Sequence, residues 1–575
     1  MPLLSQNFEF PFLQSVLRHS DPIPSANGRR AALWTAEALG GATRLNALLW
    51  TRGGAGGYNQ WAEEFGLEDW SWERVEPWFR KSEEVVKPRK SRFELGCIPF
   101  VDEAARRVGL PVGEGVNDPG AKAQGCFVMD QTVDGKGQRM SAYKAWLSKE
   151  RARDRQGLKI CTGVAASRLL FNEDGTRATG VGVREGGREY TVKARKEVIV
   201  CSGTICTPQL LMLSGIGPRR HLENLGIPVI HDLPEVGQSL SDHTSVPIIT
   251  NLPRRHTLHH LENALVFLWH LLLYLFCGKG LLANGTTSRS IFVRTTALDK
   301  NAMTVRHNDS SDNDNMDVSL PQNIPDVEIM INPVNCLTVN VSGKSLFTWY
   351  TTLIQPHSRG HIELASDNPL ADPKICYPMM TDDRDRVTMR KAVRFTMRLA
   401  EEFKITGYPH EAPLVIAPGM DLAYSDALYE PKRGLLQRPW GGKKPADQEP
   451  APVPGKDLLP GAVRVSVSMS TNGEPNKQHC HSPNWRTITD DEIDAYASRV
   501  CVSSLHVSCT CRMSNNPREG VVDQKLKVHG VENLRIADAS VFPKIPGAHT
   551  MAPVMMVAER CAEFVKKKWE GRKER

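Results

Sequence analysis

The chain has 575 residues, 40% of them apolar and 24% charged, with a formal net charge of +7. That is longer than the ~300 residues one hydrophobic core usually fills, so two domains or one two-lobed unit are expected. Thirteen cysteines are too sparse for a disulfide scaffold, and no basic stripe interleaved with aromatics supports nucleic-acid binding.

The opening Met1-Pro2-Leu3-Leu4-Ser5-Gln6 has no basic segment followed by an apolar core, so no secretory signal is read and the cytoplasm is the default compartment. Residues 28–82 are rich in glycine and tryptophan, with helical periodicity after Trp72. From 155 to 245, short β-branched runs alternate with turns, and Glu197-Val198-Ile199-Val200-Cys201 has the pattern of a buried strand. The run ALVFLWHLLLYLFC at 264–277 is too short to span a bilayer and carries His270 at its centre, which predicts a buried or interfacial helix. Residues 250–500 mix helices with strand-like segments such as 326–331 and 361–364. Two inserts there, Asn/Asp/Ser-rich around 307–317 and Pro-rich at 439–460, lack the apolar spacing of a core and are expected to be surface loops or disorder. Residues 500–570 return to strand, turn and a final helix, and the lysines at 566–568 read as its solvated end. Neither Cys509 with Cys511 nor Cys480 between His479 and His481 supplies the two separated ligand pairs of a zinc site, so no metal is assigned.

Three segments carry the chemistry. In the first, 198–211, a strand ends in a small-residue turn and a helix is predicted with Thr207 as N-cap and Pro208 at its first position. It runs on through Leu213-Ser214-Gly215-Ile216-Gly217-Pro218. The second is Ala38-Leu39-Gly40-Gly41-Ala42-Thr43-Arg44-Leu45-Asn46, followed by Trp50-Thr51-Arg52-Gly53. The third joins Gly520-Val521-Val522-Asp523 to 528–543 and to His549-Thr550-Met551-Ala552-Pro553. In sequence and in order these closely resemble signatures of the glucose–methanol–choline (GMC) oxidoreductases, and Gly278-Lys279-Gly280-Leu281-Leu282 resembles that family's entry to its substrate domain. The resemblance runs from about residue 28 to 565 and is weakest through 300–500.

The resemblance implies an α/β fold. A Rossmann-like FAD-binding domain, N-terminally incomplete, would come from 28–55, 156–250 and 500–570. An α+β substrate domain with an antiparallel sheet would come from 60–155 and 250–500. It implies an FAD-dependent oxidoreductase that takes hydride from the CH–OH group of a small organic alcohol, and it leans to the fungal-type aryl-alcohol and biosynthetic members, with a place in secondary metabolism. No membrane span or nucleic-acid partner is implied, and the oligomeric state is left open.

Such a reaction needs a base for the hydroxyl proton, and histidine suits it because its ordinary pKa lies near neutrality. Leu505-His506-Val507-Ser508-Cys509-Thr510-Cys511-Arg512-Met513 resembles the catalytic segment, so His506 is expected to be the proton acceptor and His549 the second active-site position. Ser508 and Ser514 are taken as standing where the family has glycine, which would narrow the pocket. For FAD the resemblance implies Ala42, Asn46, Ala47, Leu48 and Leu49 along the ring and pyrophosphate, and Ala166 against adenine. It adds Asp538 and Ala539 at the turn into the last helix, and Thr550 and Met551 at the ring. Without the resemblance, His506 reads as a histidine bonded to a backbone carbonyl and the alanines and leucines as packing. Asn46 is the most informative, because an amide among Leu45, Ala47 and Leu48 wants a hydrogen-bond partner.

Family members open with a strand, a GxGxxG turn and a helix, whose amides hold the pyrophosphate. This sequence has no GxGxxG. Gly53-Gly54-Ala55-Gly56-Gly57 follows no apolar strand and has the wrong spacing. A truncated product and a natural variant with altered flavin binding both stay open, as does an inactive remnant that does not hold FAD. A metal-dependent hydrolase built on the His/Cys clusters would have to contain tightly bound zinc.

Overall fold

Strands Thr244–Asn251, Leu346–Leu353, Val327–Asn332 and Arg289–Val293 are almost wholly buried along their length, as expected where a sheet is covered on both faces. In the computed structural model they form the middle of a seven-stranded sheet whose strand pairs are all antiparallel. Its order runs from Leu414–Ile416 through those four to Gly125–Val128, with Val502–Ser503 added beside Thr244–Asn251. Residues 14–91, 94–113, 115–306, 316–337, 344–420 and 483–570 are described, with short pieces at 2–3, 340–341 and 429–430. The insert at 439–460, the 479–481 cluster and most of 307–317 lie outside the described residues.

Side chains alternate across a strand. Val327, Ile329 and Ile331 therefore enter the main core with Phe347, Trp349 and Phe403 of helix Asp383–Ile405, while Glu328 and Met330 turn to the other face. Ser290 pairs with Met330 and Phe292 with Glu328. A carboxylate thus stands on a face that otherwise carries Met330, Phe292, Phe127 and Leu49.

The second core is gathered from distant segments. Val198–Val200 pairs in parallel with Leu534–Ile536, and around them pack Leu210, Leu211, Phe542 and Met556. Trp50, Tyr58, Trp61, Trp70 and Phe79 belong to the same cluster. Helices Ala55–Phe65 and Trp72–Val86 therefore share a core with the final helix Met551–Glu570, whereas the sequence division put 60–155 with the other part. Likewise Thr244–Asn251, placed by sequence with 156–250, lies in the seven-stranded sheet. Three strands at 165–171, 178–185 and 188–193 form a small outer sheet.

Three local readings change. Among the described residues Val198–Val200 has one partner strand, and Ile199 and Cys201 are exposed, so the expected buried strand is half-buried. The following helix starts at Gly203, four residues before the expected N-cap, and Pro208 sits inside it. Proline has no N–H to donate to the carbonyl four residues back. The Thr204 carbonyl instead accepts from the Thr510 hydroxyl at 2.6 Å, so the bond lost inside the helix is replaced from the His506 segment. The expected solvated C-terminus is partly tied down: Glu197, ion-paired to Arg535 at 2.7 Å, also accepts from Lys568 at 2.6 Å and from the Trp569 indole at 3.1 Å. Residues 264–277 form the predicted helix with His270 buried, yet its outward face is exposed.

Candidate active site

His506 lies on a segment that returns from helix Asp490–Val500 toward the start of strand Thr244–Asn251. Leu505 adopts a left-handed backbone (φ 61°), uncommon for a branched side chain, and this turns His506 inward. Its N–H is held by Asp242 Oδ1 at 2.8 Å. The other oxygen of Asp242 accepts from Tyr377 at 2.5 Å and from Ser503. Burial raises the Asp242 carboxyl to about 6, against the pull of those hydrogen bonds.

Four side chains then stand in a row. His243 Nδ1 is 3.0 Å from His506 Nδ1, His506 Nε2 is 3.3 Å from His549 Nδ1, and His549 Nε2 is 3.1 Å from Glu328 Oε1. The Ser290 hydroxyl donates to the same Glu328 oxygen at 2.6 Å, and His549 N–H donates to Thr51 Oγ1 at 2.7 Å. Burial, aided by His549 and His243, holds His506 well below the ordinary histidine value, and burial takes His243 down to about 3. Burial alone would raise the Glu328 carboxyl; His549, Ser290 and His243 together hold it below its usual range.

Counting protons gives the row a direction. A neutral imidazole has one N–H and one acceptor nitrogen. With Glu328 ionised, His549 presents Nε2–H to it, so His549 Nδ1 accepts from His506 Nε2–H and His506 Nδ1 accepts from His243. One further proton on His549 reverses the row: His549 then donates at both ends, and His506 offers the Nε2 lone pair with its own proton on Nδ1 against His243.

The sequence reading brought His506 and His549 to this site and missed His243 and Glu328. Glu328 carried a usable signal, since a lone acid in the strand VEIMIN would be a buried charge in want of a partner. Ser508 and Ser514, expected to narrow the pocket, are both buried. Neither has a positive φ; the left-handed position is Cys509 (φ 74°), directly before Thr510. Ser508 is in a short antiparallel bridge to Ser241.

The residues expected along a cofactor fall into two groups. Asn46 and Met551 touch, amide to sulfur at 3.0 Å, and Arg139 binds the Asn46 side chain at 2.5 Å and its carbonyl at 2.7 Å. Ala42 and Ala47 are exposed, Thr550 is half-buried, and Leu48 and Leu49 are core residues whose side chains face inward. Asp538 is buried and organises a turn, accepting from Gly203 N–H at 2.9 Å, Thr207 at 2.6 Å and Ser540 N–H at 2.9 Å, with Ala539 half-buried beside it. Ala166 is exposed on the small outer sheet. Near Asp538, Cys201 and Ser202 are exposed and a side chain at Gly203 (φ 78°) would meet nothing within 4 Å, so this wall is open.

Residues 13–245 match the N-terminal part and 356–558 the C-terminal part of the family described as GMC oxidoreductase, and the chain belongs to that family. It is 29% identical to the oxygen-dependent choline dehydrogenase of Burkholderia thailandensis, over 96% of this chain and 83% of the relative. It is 27% identical to oxygen-dependent choline dehydrogenase 1 of Chromohalobacter salexigens, over 98% and 86%. Among solved structures it resembles formate oxidase (TM-score 0.73, 24% identity, 99% of this chain and 91% of that one). It also resembles a FAD-dependent oxidoreductase from Chaetomium thermophilum (0.71, 23%, 97% and 91%) and a fungal aryl-alcohol oxidase (0.71, 20%, 97% and 90%). The fold is the expected mixed α/β architecture of FAD-binding and substrate domains, and FAD is the cofactor of the family. The chemistry of the residues present fits FAD: an amide at Asn46 and imidazoles at His506 and His549 suit the ring end, and an open wall of small residues stands apart from them near Asp538.

Proposed function

We propose that the protein oxidises the CH–OH group of a small organic alcohol, with His506 as proton acceptor and His549 holding the substrate oxygen. The contact of 3.3 Å between His506 Nε2 and His549 Nδ1, backed by Glu328, carries this reading. In the reversed row, with His549 carrying a proton on each ring nitrogen, a hydroxyl entering between the two rings would replace that contact, donating to His506 Nε2 and accepting from His549 Nδ1. The bound flavin supplies the hydride acceptor. His243 Nδ1 accepts a hydrogen bond from His506 Nδ1–H while the Nε2 lone pair is in use, and Asp242 fixes the His506 backbone.

Ala42, Asn46, Ala47, Leu48, Leu49, Thr550 and Met551 would line the ring side, the two leucines through their backbone. Ala166, Asp538 and Ala539 would lie toward the nucleotide. The signatures lean to the fungal-type aryl-alcohol and biosynthetic members, and a role in secondary metabolism goes with that leaning. The test is anaerobic flavin reduction in FAD-loaded protein against a panel of aryl alcohols, aliphatic alcohols and choline. At least one should bleach the flavin, and His506→Ala should abolish the bleaching. Reduction that survives His506→Ala removes the proposed base.

A further inference from the structure

Helix Ala264–Cys277 takes no part in the site, and its outward face differs from an ordinary surface. Leu265, Leu268, Trp269, Leu272, Leu275 and Phe276 are all exposed, Leu265 at 78% and Phe276 at 82%. Their spacing, i, i+3, i+4, i+7, i+10 and i+11, sets them on one stripe along the whole helix. The helix cannot roll to hide it. His270 on the buried side accepts from Leu281 N–H at 3.3 Å. Asn263 caps the first turn through Leu265 N–H (3.0 Å) and Val266 N–H (3.2 Å), and Gly278 (φ 62°) closes the last. Its 14 residues reach ~21 Å, short of the ~30 Å hydrocarbon core, and among the described residues no helix is long and apolar enough to cross a membrane.

We propose that this stripe seats the protein on an anionic lipid bilayer, the helix lying flat in the interfacial zone. Charge selects this occupant. Lys279 follows the helix and Lys136 lies against its end, since a side chain at Gly278 would come within 2.6 Å of the Lys136 carbonyl. Both lysines are exposed, and among the described residues neither has an ion-pair partner. Arg254 and Arg255 are exposed in the turns that lead into the other end, where Glu262 is shared between Arg254 (3.5 Å) and His259 (2.8 Å). A second copy on the stripe, parallel or antiparallel, would set cationic end against cationic end. An anionic surface meets both ends favourably. Trp269 in mid-stripe is a residue type enriched at interfacial depth, and lysine stems can reach past an apolar face to the headgroups.

The full-length protein is sedimented with vesicles of phosphatidylcholine alone and of phosphatidylcholine mixed equally with phosphatidylglycerol. It should partition to the mixed vesicles about tenfold more strongly. Leu265→Gln with Phe276→Gln should weaken that binding by at least roughly tenfold at unchanged Tm, because both side chains are solvent-exposed in the free protein. Lys136→Gln with Lys279→Gln should remove the preference for the anionic vesicles. Brominated acyl chains should quench tryptophan emission, and Trp269→Phe should remove most of the quenching. Failure to bind either vesicle overturns the proposal, and equal binding to both overturns the anionic assignment. A dimer in sedimentation velocity that Leu265→Gln with Phe276→Gln dissociates assigns the stripe to a second copy and overturns it too.

Discussion

The His506 ring stands at 90° to the ring of His243 with Nδ1 facing Nδ1 at 3.0 Å, so one of those two nitrogens carries the proton and the other receives it. Which does so sets whether His506 Nε2 is a donor or a base. His243 is thus expected to position the base without touching substrate. His243→Phe removes the Nδ1 partner, and kcat for alcohol-dependent flavin reduction should fall about 10–100-fold, with little change in KM. Equal losses in kcat and kcat/KM in FAD-loaded protein fit this role; a rise in KM alone does not.

Glu328 anchors the far end of the row. Its folded pKa is held below the ordinary carboxyl value, so its contribution to stability is full above the unfolded pKa and is lost as pH falls through the folded one. At neutral pH, Glu328→Gln should cost about 1–3 kcal/mol by denaturant unfolding. Removing the negative charge also makes His243, whose affinity for a proton Glu328 raises, harder to protonate, so the acid limb of the kcat profile should move to lower pH. An unmoved limb would show that Glu328 only fills space.

His506 and His243 act on stability in the opposite range. Above about pH 6.5 both are neutral in the folded and unfolded chain and contribute no pH dependence. Below it the unfolded chain takes protons that the buried rings refuse, so stability should fall by about 1.4 kcal/mol per unit for each histidine. Tm should drop between pH 7 and 5, and His243→Phe should flatten the drop.

The Thr510 hydroxyl donates to the Thr204 carbonyl, which Pro208 inside the helix leaves without its usual N–H partner. Thr510→Val leaves that carbonyl buried without an acceptor's partner and should destabilise by about 1–3 kcal/mol. Thr510→Ser, which keeps the hydroxyl, should recover most of it. Calorimetry on both variants decides the matter.

Cys509 holds a left-handed backbone that costs a side-chain-bearing residue about 1–2 kcal/mol. Cys509→Gly should therefore raise Tm or leave it unchanged, even after the added backbone entropy of glycine in the unfolded chain. A marked fall would mean that the packing of the buried thiol outweighs the strain.

What could be read from the chain alone was what lies contiguous in it. The segments at 198–218 and 534–553 announced the fold, and His506 and His549 came with their flanking residues. His243 and Glu328 did not, because their roles exist only through partners 263 and 221 residues away. The same blindness moved the helix start. By local rules Pro208 belongs at a first turn, and only the distant Thr510 hydroxyl makes it tolerable inside. The division at residue 60 failed to foresee that Trp61, Trp70 and Phe79 pack with the chain's last helix, because composition says nothing of which cluster an apolar side chain will join.

Val198–Val200 finds its parallel partner at Leu534–Ile536, and Glu197 closes on Arg535, Lys568 and Trp569. During synthesis at roughly 5–20 residues per second, that strand leaves the ribosome many seconds before the partner it needs exists. The seven-stranded sheet can be largely assembled by then, since most of its strands lie between 125 and 416. The half of the molecule begun earlier is therefore completed later, with its apolar segments waiting on the last residues to be translated, and this interval is when a nascent chain of this protein most needs a chaperone.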